Sequence, residues 1–298
     1  MHTKPARLCF PISMPVQPRQ PPDILLFDNG SLRPEPTLRL RRVARLLAPR
    51  VPSSVTATSL LHSDRVDPDQ LECEPAVLLL DQLERRHRAG QQSRFIILPF
   101  FIGPSLALTD YLPNQLNDLR TRHPQLSAVM ADSLARTGSG EDLRLAAILS
   151  RRVRTASRRL SHPLPPDVIV VDHGSPVREV ALLRDRIAFA VGRDLGSEAH
   201  SVRPASMERR DGPEFAFNDP LLKAALTATG HEGRPIIVSL LFLAPGRHAG
   251  PDGDITRICQ AAQARMPGTV MTLTEPVGDD PVLIDILADR VREVWPEE

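Results

Sequence analysis

The chain is expected to be an α/β protein of two similar halves. Each half should hold a roughly four-stranded parallel sheet flanked by helices, and the halves should face each other across a cleft. Three observations lead there. Apolar runs of strand length alternate with segments that carry apolar residues at helical spacing. Strands such as DVIVVD (167–172) and PIIVSLLFL (235–243) are almost continuously apolar, the mark of parallel strands covered on both faces. The same blocks also recur in the same order after roughly 140 residues. DILLFDNGS (23–31) returns as DVIVVDHGS (167–175), LPFFIGPSLALTDYL (98–112) as LLFLAPGRHAGPDGDI (240–255), and GEDLRLAAILSRRV (140–153) as GDDPVLIDILADRV (278–291).

Taken in order, residues 1–22 are Pro-rich and expected to be disordered, since eight of the 30 prolines fall within the first 36 residues. The first repeat, 23–155, parses as strand 23–28, helix 36–48, strand 54–61, helix 75–89, strand 93–101, helix 110–122, strand 126–131 and helix 140–155. ASRRLSHPLPP (156–166) reads as a linker. The second repeat, 167–298, parses as strand 167–172, helix 177–191, strand 198–206, helix 218–228, strand 235–243, helix 254–265, a strand in TVMTLTEP and helix 280–294. Asn218-Asp219-Pro220 is an ordinary helix-start signal.

Composition narrows the function classes. With 37 basic and 36 acidic residues there is no general field to draw in nucleic acid or a membrane surface. No run approaches the ~20 apolar residues that a membrane span needs, and the first 22 residues lack the apolar stretch of a secretory signal. Cys9, Cys73 and Cys259 are scattered and form neither a disulfide framework nor a metal pair. The expectation is a cytoplasmic protein, monomeric or weakly self-associating. There is no GxxxxGK[ST] loop and no GxGxxG after a strand, so no nucleotide is expected. The lack of a GxSxG elbow argues against an α/β hydrolase.

The repeats differ where chemistry would sit. His173 follows the first strand of its half and His248 the third; the earlier copy has neither imidazole. First and third strands are commonly neighbours in doubly wound sheets, where ligands bind beyond the strand ends. Both histidines should therefore share one rim, about 5–10 Å apart, with Glu208 on the same rim after the second strand. Two imidazoles and a carboxylate suit a borderline divalent cation, and an imidazole can move protons near neutral pH. Gly174 permits a sharp turn, and Gly246 with Gly250 permits close approach of a flat ligand.

The blocks DHGSP, SMERRDGPEFAFNDPLL and LLFLAPGRHAGPDGDI resemble the class II tetrapyrrole chelatases, in particular the sirohydrochlorin cobaltochelatase/ferrochelatase group called CbiX-like or SirB-like. The likeness runs over about residues 23–294 and is strongest in the second repeat. It implies insertion of a divalent metal, Co²⁺ first with Fe²⁺ or Ni²⁺ as alternatives, into sirohydrochlorin or a related tetrapyrrole. It makes His173 and His248 the catalytic pair and His173, His248 and Glu208 the metal-handling set. The acid that follows the G-x-H histidine would be Asp252 or Asp254. Arg247, Arg209, Arg210 and Arg178 are candidates to anchor ring carboxylates, with Ser175 and Gly246 beside them. A non-catalytic tetrapyrrole or metal carrier of the same fold is the alternative.

The first repeat departs from the family, whose long forms usually keep their histidines in that half. Asn29 stands for the first histidine and reads as a turn residue tolerating left-handed backbone. Leu106, or its neighbour Ser105, stands for the second. His62 lies near the position of Glu208, although a shift of one residue would place Leu61 there.

Overall fold

The computed structural model describes residues 21–91, 94–136, 138, 140–228, 233–278 and 280–295. Nearly all of the Pro-rich segment, Cys9 included, lies outside the described residues. The first half runs β1 (Asp23–Asp28), α1 (Pro34–Leu47), β2 (Val55–Ser59), α2 (Leu79–Arg88), β3 (Arg94–Pro99), α3 (Leu112–Arg122), β4 (Ser127–Met130) and α4 (Leu145–Leu160). The second runs β5 (Asp167–Asp172), α5 (Arg178–Leu195), β6 (Ser201–Ser206), α6 (Leu222–Thr227), β7 (Ile236–Leu240), α7 (Asp254–Arg265), β8 (Met271–Leu273) and α8 (Pro281–Val294). All the sheet pairings are parallel, in the orders β2-β1-β3-β4 and β6-β5-β7-β8. Both sheets therefore reverse their order between the first and third strands, which opens a crevice at those strand ends.

The apolar runs explain the strands. Every residue of β5 and β7 is buried, so each side chain meets a helix on one face or the other and no polar alternation survives. Ends differ from the sequence reading where backbone chemistry decides. α6 covers only 222–227, because 213–218 winds as a 3₁₀ turn. A π-helical turn over Ala107–Tyr111 leads into α3. The segment read as a linker from 156 is still helix as far as Leu160.

The larger difference lies in packing. Periodicity assigns α4 and α8 to the ends of their own repeats, but each lies on the other half. α4 packs on β7 and α5, whereas α8 packs on β3 and α1. The exchange merges the two inner faces into one apolar core that joins Ile24, Leu26, Ile96 and Leu98 to Ile148, Val153, Val168, Ile237, Leu283 and Leu287. Separate outer cores, around Phe27, Phe95 and Leu112 in one half and Ile169, Val238 and Ile255 in the other, back each sheet on its far side.

One ion network fastens the exchange. Arg290 of α8 is fully buried, and donates to Ser133 O (2.8 Å), Leu134 O (3.1 Å) and Asp142 Oδ2 (2.7 Å), all in the first half. Asp142 also holds Arg144. The bonds from Arg144 and Arg290 outweigh burial and bring its carboxyl down to about 2. Arg290→Ala strips these partners and is expected to cost about 3 kcal/mol of unfolding free energy in a denaturant titration. Asp142 contributes stability that is complete above its ordinary 3.8 and is lost as pH falls from there through about 2. Acid unfolding of Asp142→Asn should therefore have a shallower slope in that window.

Candidate active site

The site grows out of the turn that ends β5. Asp172 closes the strand, His173 follows half exposed, and Gly174 reverses the chain at φ +95°. A Cβ on Gly174 would stand 1.9 Å from the carbonyl oxygen of Glu208, so only glycine lets the two strand ends come together. Glu208 N donates to His173 O (3.2 Å) and Met207 N to Asp172 O (2.8 Å), which prolongs the β5–β6 pairing past its formal end. The Glu208 carboxylate is thereby placed 3.4 Å from His173 Nε2.

His248 arrives on the loop between β7 and α7. Since β5 and β7 are neighbours, the imidazoles meet with ring centroids 4.7 Å apart and planes tilted by 46°. That is just below the ~5–10 Å expected from strand spacing. Gly250 and Gly253 shape the loop: a Cβ on Gly250 would lie 2.6 Å from Gly246 O, and one on Gly253 2.4 Å from His248 O. Of the two acids left open by the sequence, Asp254 partners the histidine, with Oδ2 at 2.7 Å from His248 Nδ1. That contact, aided by Arg247 and Arg257, holds the Asp254 carboxyl below its ordinary range. An ionised carboxylate can only accept, so Nδ1 carries the proton, and in the neutral ring Nε2 keeps its lone pair.

His173 titrates below the usual 6.5, chiefly because it is partly buried and also because a charged His248 would repel it. A pair this close resists double protonation. One imidazole stays neutral, available as a metal ligand or proton acceptor, at a pH where a lone surface histidine would be charged.

Beneath the turn lies a buried polar frame that sequence reasoning missed. Arg184 of α5 is 1 % exposed and binds Ser206 Oγ, Asn218 O (3.1 Å) and Phe217 O (3.4 Å), with the Asp172 carboxylate at 3.8 Å. Ser206 donates to Asp172 Oδ1 at 2.6 Å. Burial pushes the Asp172 carboxyl up, while Ser206 and Arg184 oppose the shift. Asn218, also fully buried, accepts from Ser175 N (3.0 Å) and donates to Ser175 O (2.9 Å), clamping the turn that carries His173.

Two recesses meet at His173. A cavity of about 390 Å³ between the halves is lined by Asp28, Asn29, Gly30, Phe100 and Phe101 from one side and by Asp172, His173, Gly174, Leu241 and Phe242 from the other. A second recess, of about 340 Å³, holds Ser175, Glu208, Arg209 and Arg210. The other expected residues are placed less simply. Arg209 is committed to the loop, reaching Asp219 Oδ1 (3.1 Å) and Gly212 O (3.0 Å). Arg210 stacks over Phe215 and Arg178 over Phe217. Ser175 Oγ accepts from Val177 N at the start of α5. Arg247 is exposed and lines neither recess. A Cβ on Gly246 would meet nothing within 4 Å, so no close approach is served there. His173, His248 and Glu208 share a rim, yet among the described residues no three His, Cys, Asp or Glu side chains converge into a metal-holding cluster. The set expected to handle metal is thus two neighbouring imidazoles with Glu208 against one of them.

Residues 167–294 match the CbiX family model. This half is similar to a CbiX-type unit. A stretch of 126 residues is 30% identical to the chloroplastic sirohydrochlorin ferrochelatase of Arabidopsis thaliana, covering 42% of this chain and 51% of that protein. The chain therefore spans about half the length of this curated relative. Among solved structures, SirB from Bacillus subtilis with Fe³⁺ superposes with a TM-score of 0.64 at 15% identity, covering 93% of this chain and 96% of that one. SirB from the subspecies spizizenii in complex with cobalt gives 0.62 at 14%, with coverages of 92% and 95%. A multi-domain Deinococcus radiodurans protein described as structurally similar to chelatases gives 0.60 at 14%, covering 93% of this chain and 55% of that one. The chain thus has the two-half chelatase-like fold over more than nine-tenths of its length, and the family model matches the half that carries the histidines.

Gly174→Ala should cost about 2 kcal/mol or more, through left-handed strain and collision with Glu208 O. Gly246→Ala should stay within about 0.5 kcal/mol of the parent in the same denaturant titration. By NMR, His173 in the metal-free protein should titrate below 6.5 and move upward in His248→Ala, because the repulsion goes while the burial remains.

Proposed function

We propose that this CbiX/SirB-like chain inserts a borderline divalent metal, Co²⁺ first with Fe²⁺ and Ni²⁺ next, into sirohydrochlorin or a related carboxylated tetrapyrrole. The observation that carries the reading is the imidazole pair, 4.7 Å apart beside a cavity whose walls come from both halves. The CbiX match over the histidine-bearing half and the likeness to a plant sirohydrochlorin ferrochelatase support it. Among the described residues no helix is long and apolar enough to cross a membrane.

The metal is a substrate in this reading, so it has to be held briefly and given up. Imidazole nitrogens suit Co²⁺, Fe²⁺ and Ni²⁺ alike, and an incomplete protein ligand set leaves coordination positions for the pyrrole nitrogens. His248, with Nδ1–H fixed on Asp254, presents Nε2 as a lone-pair donor. His173, kept neutral below the ordinary histidine range, can take a pyrrole proton and pass it to Glu208 at 3.4 Å, on the exposed side of the recess. Apolar side chains from Phe100, Phe101, Leu241 and Phe242 offer the faces on which a macrocycle would stack.

The test is anaerobic incubation with metal-free sirohydrochlorin and each of Co²⁺, Fe²⁺ and Ni²⁺, followed by the visible spectrum of the ring. Wild type should accelerate insertion over the free reaction, and His173→Ala or His248→Ala should lose at least about 100-fold. The rate should persist to lower pH than an ordinary imidazole would allow, falling only once His173, which titrates below 6.5, takes up its proton. Ring binding with no acceleration for any metal would turn the reading to a carrier.

A further inference from the structure

The two walls of the interhalf cavity correspond residue for residue, and the correspondence singles out Asn29. Leu61 N donates to Asn29 O at 3.2 Å as Glu208 N donates to His173 O at 3.2 Å. Gly30, at φ +83°, lies against Leu61 O (1.7 Å from a notional Cβ) as Gly174 lies against Glu208 O. Asn29 therefore holds the place of His173, and Leu61, not His62, holds that of Glu208. Carried forward from the match of Phe100 N→Phe27 O with Leu241 N→Val171 O, an ungapped register sets Ala107, not Leu106, opposite His248. The scaffold of the site is kept in the first half, but the places of His173, Glu208 and His248 hold Asn29, Leu61 and Ala107, none of them a metal-type ligand.

Asn29 is not explained by that scaffold. Its backbone is not left-handed, since the positive φ belongs to Gly30, so the expectation of a left-handed turn residue fails. Its exposed side chain makes no intramolecular hydrogen bond among the described residues, and it lines the cavity that His173 lines from the other wall. A carboxamide offers two N–H donors and no charge. Leu61 beside it, 41% exposed, can neither ligate a metal nor repel an anion.

Resting on the chelatase reading above, we propose that Asn29 is a substrate-binding residue, whose amide donates to a peripheral carboxylate of the tetrapyrrole on the edge opposite the imidazole pair. The two walls then divide the work, one handling metal and protons and the other gripping the ring in a single orientation.

The experiment is an equilibrium titration of metal-free sirohydrochlorin into the full-length chain, followed by the ring's absorbance, for wild type, Asn29→Ala, Asn29→Asp and the His173→Ala/His248→Ala double variant. Asn29→Ala should weaken binding roughly tenfold or more, the worth of one hydrogen bond to a charged group. Asn29→Asp should bind more weakly still, because an acceptor-only carboxylate repels the ring's carboxylates. Thermal unfolding should be unchanged in both, since the native side chain has no partner within the fold. Unaltered affinity in Asn29→Ala, or tighter binding in Asn29→Asp than in Asn29→Ala, would overturn this assignment and leave the chelatase reading standing. A wild-type chain that does not bind the ring would overturn both.

Discussion

A guanidinium as deeply buried as that of Arg184 must be matched by carboxylate and carbonyl oxygens, because an unpaired charge in the interior costs several kcal/mol. Besides Asp185 next to it on α5, its partners occupy the ends of different elements: Asp172 closes β5, Ser206 closes β6, and the carbonyls of Phe217 and Asn218 end the 3₁₀ turn. Satisfying one side chain therefore fixes three segments relative to one another. His173 and Glu208 each stand within two residues of a fixed point, and Asn218 adds a second clamp through Ser175. A reactive side chain on an otherwise exposed turn is held this way with little entropy left to lose on binding.

The first half solves the same packing problem with other chemistry. Arg41, one position beyond the equivalent place on α1, donates to the carbonyls of Leu71, Glu74 and Pro75 and so ties down the loop after β2. Asp28 keeps the place of Asp172, pushed up by burial and eased by Ser59 and by Gly30 N. Backbone geometry at the turn is nearly identical, down to the glycine that touches the neighbouring strand end. At the turn itself, what changed is the side chains facing the cavity and its rim. Loss of ligands without loss of scaffold is the pattern expected when one of two equivalent sites is released from chemistry while still serving as a wall.

Much of the fold was legible because parallel strands buried on both faces leave an unmistakable apolar run, and because the duplication states each element twice. The histidine pair was legible for the same reason: the copy lacking it served as a control. Arg184 and Arg290 read as ordinary polar members of amphipathic helices, although each sits on the apolar stripe, Arg184 three residues before Ile187 and Arg290 three after Leu287. A charge in register with buried neighbours is the signal that could have found them. In the sequence Asn218 has the pattern of a helix-start signal, whereas α6 begins at Leu222 and the side chain turns back on the site. Periodicity gives the buried face of a helix but not what it is buried against, so the exchange of α4 and α8 left no trace in the pattern.

That exchange bears on how the cavity can work. Its two walls rest on one continuous core through β1 and β5, and each sheet is backed by a helix that belongs in sequence to the other half. Opening the walls like a hinge would expose Ile148 and Val153 on one side and Leu283 and Leu287 on the other, at about 25 cal/mol per Å² of apolar surface. Wall spacing is therefore set by side-chain packing, and adjustment to a ligand falls to the loops at the strand ends. One of these, the segment between β7 and α7, carries His248. On the chelatase reading, a cleft of fixed width would hold the ring in place while the loop that carries His248 adjusts to it.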